Sequence, residues 1–433
     1  MNKIQKTAHI ISLGCVKNTV DSEIIMGGLK KANIRILDEA AGADTVIINT
    51  CGFIGDAKKE SIETILEVVE LKKEGSVSQV LVAGCLSARY TDDLKKEIPE
   101  VDAFFLTEDF DNIFKHVTHK SHLADDPNHL RSLMTPPHYS YLKISEGCDN
   151  VCSFCAIPIM RGLQRSRTIE SLVSEANLLA KNGVKELMII GQDTTTYGWD
   201  LKPKQTLHGL LYELDKVEGL KWIRLHYAHP SHFNRKLIPL FANAKRIVPY
   251  LDIPIQHAST KMLKNMKRGL DNDGLRRLFT DIRAQIPQVA LRTSVIVGYP
   301  GETEDDFNTL MDFLEEFKFE RLGVFTYSEE EGTSAASDLD DVPEDVKMDR
   351  MDAIMDLQHG ISWANNQDLI GKELHVIVDK PDPENEGYFI GRTIWDAPDV
   401  DNEVIIIGDV NRSDFVRVHI TDAGPYELYA EPI

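Results

Sequence analysis

The sequence predicts an α/β protein in three parts: an N-terminal open parallel α/β domain over residues 1–120, a central partial (βα)6 barrel over 134–366, and a small all-β barrel over 367–433. Three observations predict it. Apolar runs alternate with segments of helical period through the first two parts, which is the pattern of parallel α/β sheets. Six such strand-helix units follow residue 134, enough for a barrel or part of one. Beyond residue 370 the helical period gives way to short alternating runs punctuated by turn residues, as in small all-β barrels.

At 433 residues the chain is too long for one ordinary core. No apolar run approaches about 18 residues, and the segment MNKIQKTAHI carries no signal-type apolar centre, so a soluble, cytoplasmic protein with no membrane partner is expected. Six cysteines in so long a chain do not make a disulfide scaffold; in a reducing compartment they are metal ligands or free thiols. The formal charge of −21 disfavours a general affinity for nucleic acid and favours a basic protein as partner.

In the first part, AHIISLGC, DTVIINTC and SQVLVAGC are apolar runs that end in Cys15, Cys51 and Cys85, with helical segments such as Asp56 to Lys73 between them. Open parallel sheets gather ligands at the carboxyl ends of their strands, so three cysteines distant in sequence can converge on one metal site. Three separate buried thiols are the alternative, since free cysteine is among the most buried residue types. Gly14, Gly52 and Gly84 beside the cysteines would let the backbone approach a bulky cluster. VDAFFLT (Val101 to Thr107) reads as a further strand, and Lys120 to Ser140 as a linker whose histidines are solvated.

The six strands of the second part are read at YLKISEG (from Tyr141), ELMIIGQD (Glu186), WIRLHYA (Trp222), YLDIPIQHAS (Tyr250), LRTSVIVGYPGE (Leu291) and RLGVFTYS (Arg321). Directly after the first stands EGCDNVCSFCAIPIMRG, Glu146 to Gly162, where Cys148, Cys152 and Cys155 form a C-x3-C-x2-C array. A 4Fe-4S cluster normally takes four thiolates, so three leave one iron open. Zinc is the plainer alternative, but structural zinc prefers four ligands and paired C-x2-C knuckles.

Active sites of strand-helix barrels lie at the carboxyl ends of the strands, which singles out Gly191-Gln192-Asp193, Gln256-His257 and Val297-Gly298. Satisfied polar residues under a loop, and a turn, account for them equally well. Arg161 and Arg292 are candidate partners for a bound carboxylate, with an ordinary ion pair as the plainer account. The acidic stretch Glu329 to Val346 reads as a solvated loop, or secondarily as a lid or docking segment. In Lys347 to Gln367, core packing accounts for a stripe of Met348, Met351, Ile354 and Met355. The last part, Gly371 to Ile433, holds five basic and fourteen acidic residues, a surplus of about nine negative charges that favours a basic partner.

The C-x3-C-x2-C array with an aromatic residue, Phe154, before its last cysteine resembles the radical S-adenosylmethionine (SAM) superfamily. With SLGCVKN, INTCGFI, VAGCLSARY, GQDTTTYG, YLDIPIQHAS and RTSVIVGYPGETEDDF in order around it, almost the whole chain resembles the methylthiotransferase family, most closely its RimO branch. The resemblance implies an N-terminal methylthiotransferase domain, a radical SAM core and a C-terminal TRAM domain. It implies two 4Fe-4S clusters, one on Cys15, Cys51 and Cys85 and one on Cys148, Cys152 and Cys155, the latter chelating SAM. By the same resemblance Phe154 packs by the adenine, the Gln192 stretch lies near the SAM amino group, the Gln256 stretch near the ribose, and Val297-Gly298 beside the adenine. No catalytic residue is assigned.

The activity the resemblance implies is addition of a methylthio group to the β-carbon of an aspartate in small-subunit ribosomal protein number twelve, by SAM-derived radical hydrogen abstraction and sulfur insertion. An electron donor and a sulfur donor are further expected partners, and no direct tRNA substrate is. A C–H bond beside a carboxylate is too weakly acidic for general-base catalysis, whereas homolysis needs no acidic proton. Val16 departs from the branch, which usually has proline there; it supplies no side-chain donor. The sister branch, which modifies a tRNA adenosine, tends to have serine where Gly52 stands, and is the alternative of the same class. A non-catalytic, metal-stabilised ribosome-binding module is the alternative of another class.

Overall fold

The β-branched runs of the first part pair as a parallel five-stranded sheet in the computed structural model, which describes residues 5–120, 124 and 126–433. Part of the N-terminal segment read for a signal (1–4) and part of the expected linker (121–123 and 125) lie outside the described residues. Strands β1 (Thr7–Ser12), β2 (Arg35–Ile36), β3 (Thr45–Thr50), β4 (Gln79–Gly84) and β5 (Ala103–Phe104) lie in the order β2-β1-β3-β4-β5. This doubly wound order has its switch point between β1 and β3, where such sheets open a crevice.

Helices α1 (Val16–Lys31) and α4 (Phe110–Thr118) cover one face, with Val20, Ile24 and Phe114 against Ala8, Ile10, Ile47 and Leu81. On the other face α2 (Gly55–Lys73) and α3 (Cys85–Glu97) set Ile65, Val69 and Leu86 against Val46, Ile48, Val80 and Val82. Burial on both faces explains why β3 reads as a continuous apolar run rather than an alternating one. The strand expected over Val101 to Thr107 shortens to two residues, and β2 is equally short.

The second part is an open, all-parallel sheet of six strands, β6 (Tyr139–Lys143), β9 (Glu186–Ile190), β10 (Trp222–Leu225), β11 (Ile247–Asp252), β12 (Ala290–Val297) and β13 (Arg321–Thr326), each beside its successor. A short antiparallel pair, β7 (Ser145–Glu146) and β8 (Arg165–Ser166), flanks the cysteine loop and the helix that follows it, α5 (Ile157–Arg161). The outer helices are α6 (Ile169–Lys181), α7 (Leu207–Leu214), α8 (Ile238–Asn243), α9 (Thr260–Asn265), α10 (Asn272–Gln285) and α11 (Glu304–Phe317). Local chemistry starts α11: Thr303 and Asp306 exchange side-chain and backbone bonds in a capping box. A last helix, α12 (Glu344–Gln367), leads to the closed barrel β14 (Glu373–Pro381), β15 (Tyr388–Arg392), β16 (Glu403–Ile407), β17 (Phe415–Ala423) and β18 (Glu427–Pro432).

The two flanking parts take opposite ends of the central sheet. At the amino ends of its strands, Trp222, Val248, Tyr250 and Ala290 pack with Ile377 and Ala397 of the small barrel. Buried Glu186 pairs there with Arg224 at 3.0 Å and with Arg392 at 2.7 Å, while Tyr250 donates to Asp401 at 2.8 Å. The N-terminal domain covers the carboxyl ends, where Lys143, after which β6 ends, is held by Asp21, Glu108 and Glu146. Among the described residues no helix is long and apolar enough to cross a membrane.

Four expectations are corrected by this packing. The segment from 126 is a strap rather than a free linker: Arg131 is buried between Glu23 and Glu175, and His138 is wholly buried, 2.7 Å from Asp379, rather than solvated. In the acidic loop, Glu330 is buried against Arg89 and Lys58 of the N-terminal domain, so that end is a clasp. On α12, Met351 and Ile354 pack in the core as expected, but Met348 and Met355 are exposed; the buried face runs through Lys347, Arg350, Ile354, Gln358 and Ile361, whose polar members meet partners such as Asp340, Glu302 and the Phe319 carbonyl. Finally, Asp379, Asp396 and Asp401 of the small barrel bond to His138, Arg321 and Arg292, which removes them from the charge available to a partner.

Candidate active site

Three adjacent strands deliver the first cysteine triad. Cys15 follows β1 as the residue before α1, Cys51 follows β3 directly, and Cys85 opens α3 directly after β4. The glycines beside them bring the loops against one another. A Cβ on Gly14, at φ +81°, would stand 2.7 Å from Cys51 Sγ; one on Gly84, at φ +96°, would stand 2.4 Å from Asn49 Oδ1. Asn18 ties the set together by donating to the carbonyls of Leu13 at 2.8 Å and Thr50 at 3.0 Å.

Electrostatics distinguish the three thiols. Burial pushes Cys85 up to about 11 and raises Cys51. For Cys15 the cost of desolvation is outweighed by the positive charges of Lys17 and Arg161 and by the N–H groups of Lys17 and Asn18, and the thiol lies below its ordinary value. A thiolate at a helix N-terminus beside cations is the form that binds metal.

The second triad sits on the loop after β7. Gly147 at φ +75° turns the chain where a Cβ would meet the Leu163 carbonyl at 2.2 Å, and the Cys148 N–H donates to Gly162 at 3.0 Å. Burial pushes Cys148 up to about 11 and Cys155 to about 12. Arg268 donates to Cys152 Sγ at 3.2 Å, which places a cation against the loop.

The loop of Cys85 touches the segment that follows the second triad. Cys85 packs against Ala156, Ile157 and Met160, the residues that immediately follow Cys155. From the end of α5, Arg161 donates to Glu146 at 2.8 Å and to Asn18 Oδ1, and pairs with Asp21 at 3.4 Å. Among the described residues, metal-capable ligand atoms also gather at Asp193-His229-His232 and at Asp21-Glu108-Glu146.

The remaining candidates line the same carboxyl-end face. Phe154 packs with Met262, Met266, Tyr299 and Tyr327. Gln192 donates to Glu146 Oε1 at 2.9 Å, which leaves its own Oε1 buried without a donor. Gln256 adopts φ +71° four residues past the end of β11, and its backbone bridges to Val295. Val297 is fully buried. Gly298, at φ +73°, has a packing reason of its own, since a Cβ there would meet Lys347 Cγ at 2.2 Å. Arg161 and Arg292 are both engaged by the protein's own carboxylates, Arg292 by Asp252 at 3.2 Å and Asp401 at 3.3 Å, so neither is free for a bound one.

Sequence reasoning missed the Asp193, His229 and His232 group, in which His232 lies 2.9 Å from Asp193. Burial and Arg268 lower His229 to about 3; Asp193, despite burial, is held at about 2 by bonds from His232, Thr195 and Asn150. It also missed Tyr227 after β10, a non-glycine residue at φ +59°. Left-handed backbone in a bulky residue is uncommon and clusters at functional sites.

Comparisons with known proteins agree with this architecture. Residues 7–106 match the model of the uncharacterized protein family UPF0004, 142–314 that of the radical SAM superfamily, and 370–433 that of the TRAM domain. Ribosomal protein uS12 methylthiotransferase RimO of Flavobacterium psychrophilum is 49% identical over 430 residues, covering 98% of this chain and 97% of that one. The RimO protein of Prosthecochloris aestuarii is 47% identical over 99% of both chains. Among solved structures, the radical SAM methyltransferase TsrM from Kitasatospora setae superposes with a TM-score of 0.55 at 14% identity, over 74% of this chain and 73% of that one. The cobalamin-dependent radical SAM enzyme OxsB gives 0.54 at 13% identity, over 77% and 54%. These two show the shared fold alone. From its three domains in order and its near-full-length identity to these relatives, the chain belongs to the RimO methylthiotransferase family, a branch of the radical SAM superfamily, whose members carry a 4Fe-4S cluster and use SAM.

Proposed function

We propose that this protein adds a methylthio group to an aspartate of ribosomal protein uS12. The observation that supports the reading is the packing of Cys85, at the end of β4, on Ala156, the residue after Cys155. In this reading Cys15, Cys51 and Cys85 hold one 4Fe-4S cluster and Cys148, Cys152 and Cys155 another. The three-sulfur donor sets and the cations beside Cys15 and Cys152 fit such groups. When bound, these groups and SAM supply a carbon-centred radical at the central loop and transferable sulfur at the N-terminal triad.

The chain's own residues position and enclose. Arg268 offsets charge at Cys152, and Arg161 fixes α5 against α1 so that the two loops keep their spacing. Gln192 Oε1, buried and lacking a donor, fits the ammonium group of SAM, while Phe154 offers its ring to the adenine, with the Gln256 stretch by the ribose and Val297-Gly298 alongside the base. In this reading the domains run over 1–120, 134–366 and 367–433. Exposed Glu384, Glu386, Glu403, Asp409 and Asp422 of the small barrel supply the negative surface for basic uS12. An electron donor and a sulfur donor complete the reaction, which we place in the cytoplasm with the ribosome.

Anaerobically reconstituted protein, incubated with SAM, a low-potential reductant and sulfide, tests the proposal with uS12 in one arm and tRNA in the other. Mass spectrometry is expected to find a methylthio group on a single uS12 aspartate and none on tRNA. Modification of tRNA with uS12 untouched would overturn the proposal.

A further inference from the structure

Lys17 stands two residues past Cys15, on the first turn of α1, and its Nζ lies 3.5 Å from the centroid of the Tyr227 ring on the central domain. It therefore spans the gap between the N-terminal triad and the carboxyl end of β10. Tyr227 is a fixed platform: its N–H donates to Asp252 Oδ2 at 3.0 Å and its carbonyl accepts from Thr194.

What sets Lys17 apart is that its anionic neighbour is the Cys15 thiol two residues away and not a carboxylate. Other cations of this junction are paired: Lys143 with Asp21, Glu108 and Glu146, Arg161 with Asp21 and Glu146, Arg89 and Lys58 with Glu330, and Arg268 with Cys152 Sγ. Among the described residues, no carboxylate or hydrogen-bond acceptor meets Lys17. The two carboxylates that face it across the junction are committed elsewhere, Glu146 to Lys143, Arg161 and Gln192, and Asp252 to Arg292 and the Tyr227 N–H. A half-buried ammonium resting on a phenol ring keeps only part of its solvation, and an anion brought to it regains the rest through a charge-assisted bond.

We infer that Lys17 receives the side-chain carboxylate of the substrate aspartate and so holds the adjacent β-carbon between the two cysteine loops; this rests on the aspartate-modifying reading above. Placement beside Cys15 puts the recognised carboxylate next to the sulfur-bearing triad, where the new C–S bond must form. It also gives the site a reason to refuse a nucleobase, which offers no carboxylate.

The test pairs a change in the enzyme with a change in the substrate. Mass spectrometry of the wild-type product locates the modified aspartate of uS12, and that residue is replaced by asparagine. Equilibrium binding to reconstituted enzyme is then measured for both forms of uS12, with wild type, Lys17→Met and Lys17→Arg. A charged hydrogen bond corresponds to a loss of about 10- to 100-fold. Wild type is expected to bind the asparagine form weaker by that factor, Lys17→Met to bind the aspartate form equally weakly and to distinguish the two forms less than about threefold, and Lys17→Arg to recover most of the discrimination.

Iron content and SAM cleavage without uS12 verify each variant; should Lys17→Met lose iron, the same binding comparison is made between unreconstituted wild type and unreconstituted Lys17→Met, both without clusters. Full discrimination by the neutral variant, or equal weakening toward both forms, overturns the inference while leaving the proposed function standing. A wild-type enzyme that modifies no uS12 aspartate overturns both.

Discussion

Replacing Arg161 by methionine removes a side chain of α5 that bonds both α1 and the loop before Cys148. Its guanidinium is buried, and burial acts against its charge while Glu146 and Asp21 sustain it. The change deletes a bond to Glu146 at 2.8 Å, one to Asn18, and the 3.4 Å pair with Asp21. Lys143 still serves both carboxylates, so neither is stranded completely. Breaking a buried pair costs about 3–5 kcal/mol, and the remaining partner places the expected loss near the lower end. At 1.4 kcal/mol per decade that is about a 100-fold rise in local opening. Native-state hydrogen exchange reads it directly. Amides of 16–31 and 157–161 are expected to lose about two decades of protection in Arg161→Met, with 222–225 in β10 unchanged. Unaltered protection in both segments would refute the claim that this residue joins the domains.

Other consequences are open to measurement. Gly84→Ala forces a Cβ to 2.4 Å from Asn49 Oδ1 and 2.6 Å from the Thr50 carbonyl at φ +96°; the N-terminal site is expected to fail, and iron after reconstitution to fall from about eight to about four per chain. Asp252 is buried, but Arg292 and His226 outweigh that cost and hold it at about 2. Its folded value is depressed, so it stabilises above its unfolded value near pH 4 and that contribution, about 2–3 kcal/mol, fades as pH falls through 4 toward 2. The stability gap between wild type and Asp252→Asn should accordingly close in acid, and a gap independent of pH between 6 and 2 would count against it. Arg392→Met leaves Glu186 with Arg224 alone at the base of the sheet. A loss of about 3 kcal/mol is expected, seen as faster proteolysis between α12 and β14.

Strand positions were legible because burial on both faces writes continuous β-branched runs such as TVIINT and ELMII into the chain. The positions of the cysteines were legible because each stands at a strand end or in a tight local array. Strand β2 was not, since two residues carry no period. The α12 stripe misled because methionine was counted as core by type, whereas Lys347, Arg350 and Gln358 are buried through partners that only the fold supplies. The same limit hid the strap, where Arg131 meets Glu23 from 108 residues away, and the seam between Glu186 and Arg392. Lys17 was visible as a letter in SLGCVKN, but its significance lies in a missing carboxylate, and no sequence displays an absent neighbour.

The central claim is that both cysteine triads, brought together by packing of α3 on α5, serve one reaction in two distinct capacities. Reconstituted Cys15→Ala/Cys51→Ala/Cys85→Ala protein, assayed with SAM and uS12, tests it most directly. The account predicts about four irons per chain, continued release of 5′-deoxyadenosine, and no methylthio group on uS12. Methylthiolated uS12 from that variant at the wild-type rate would contradict it.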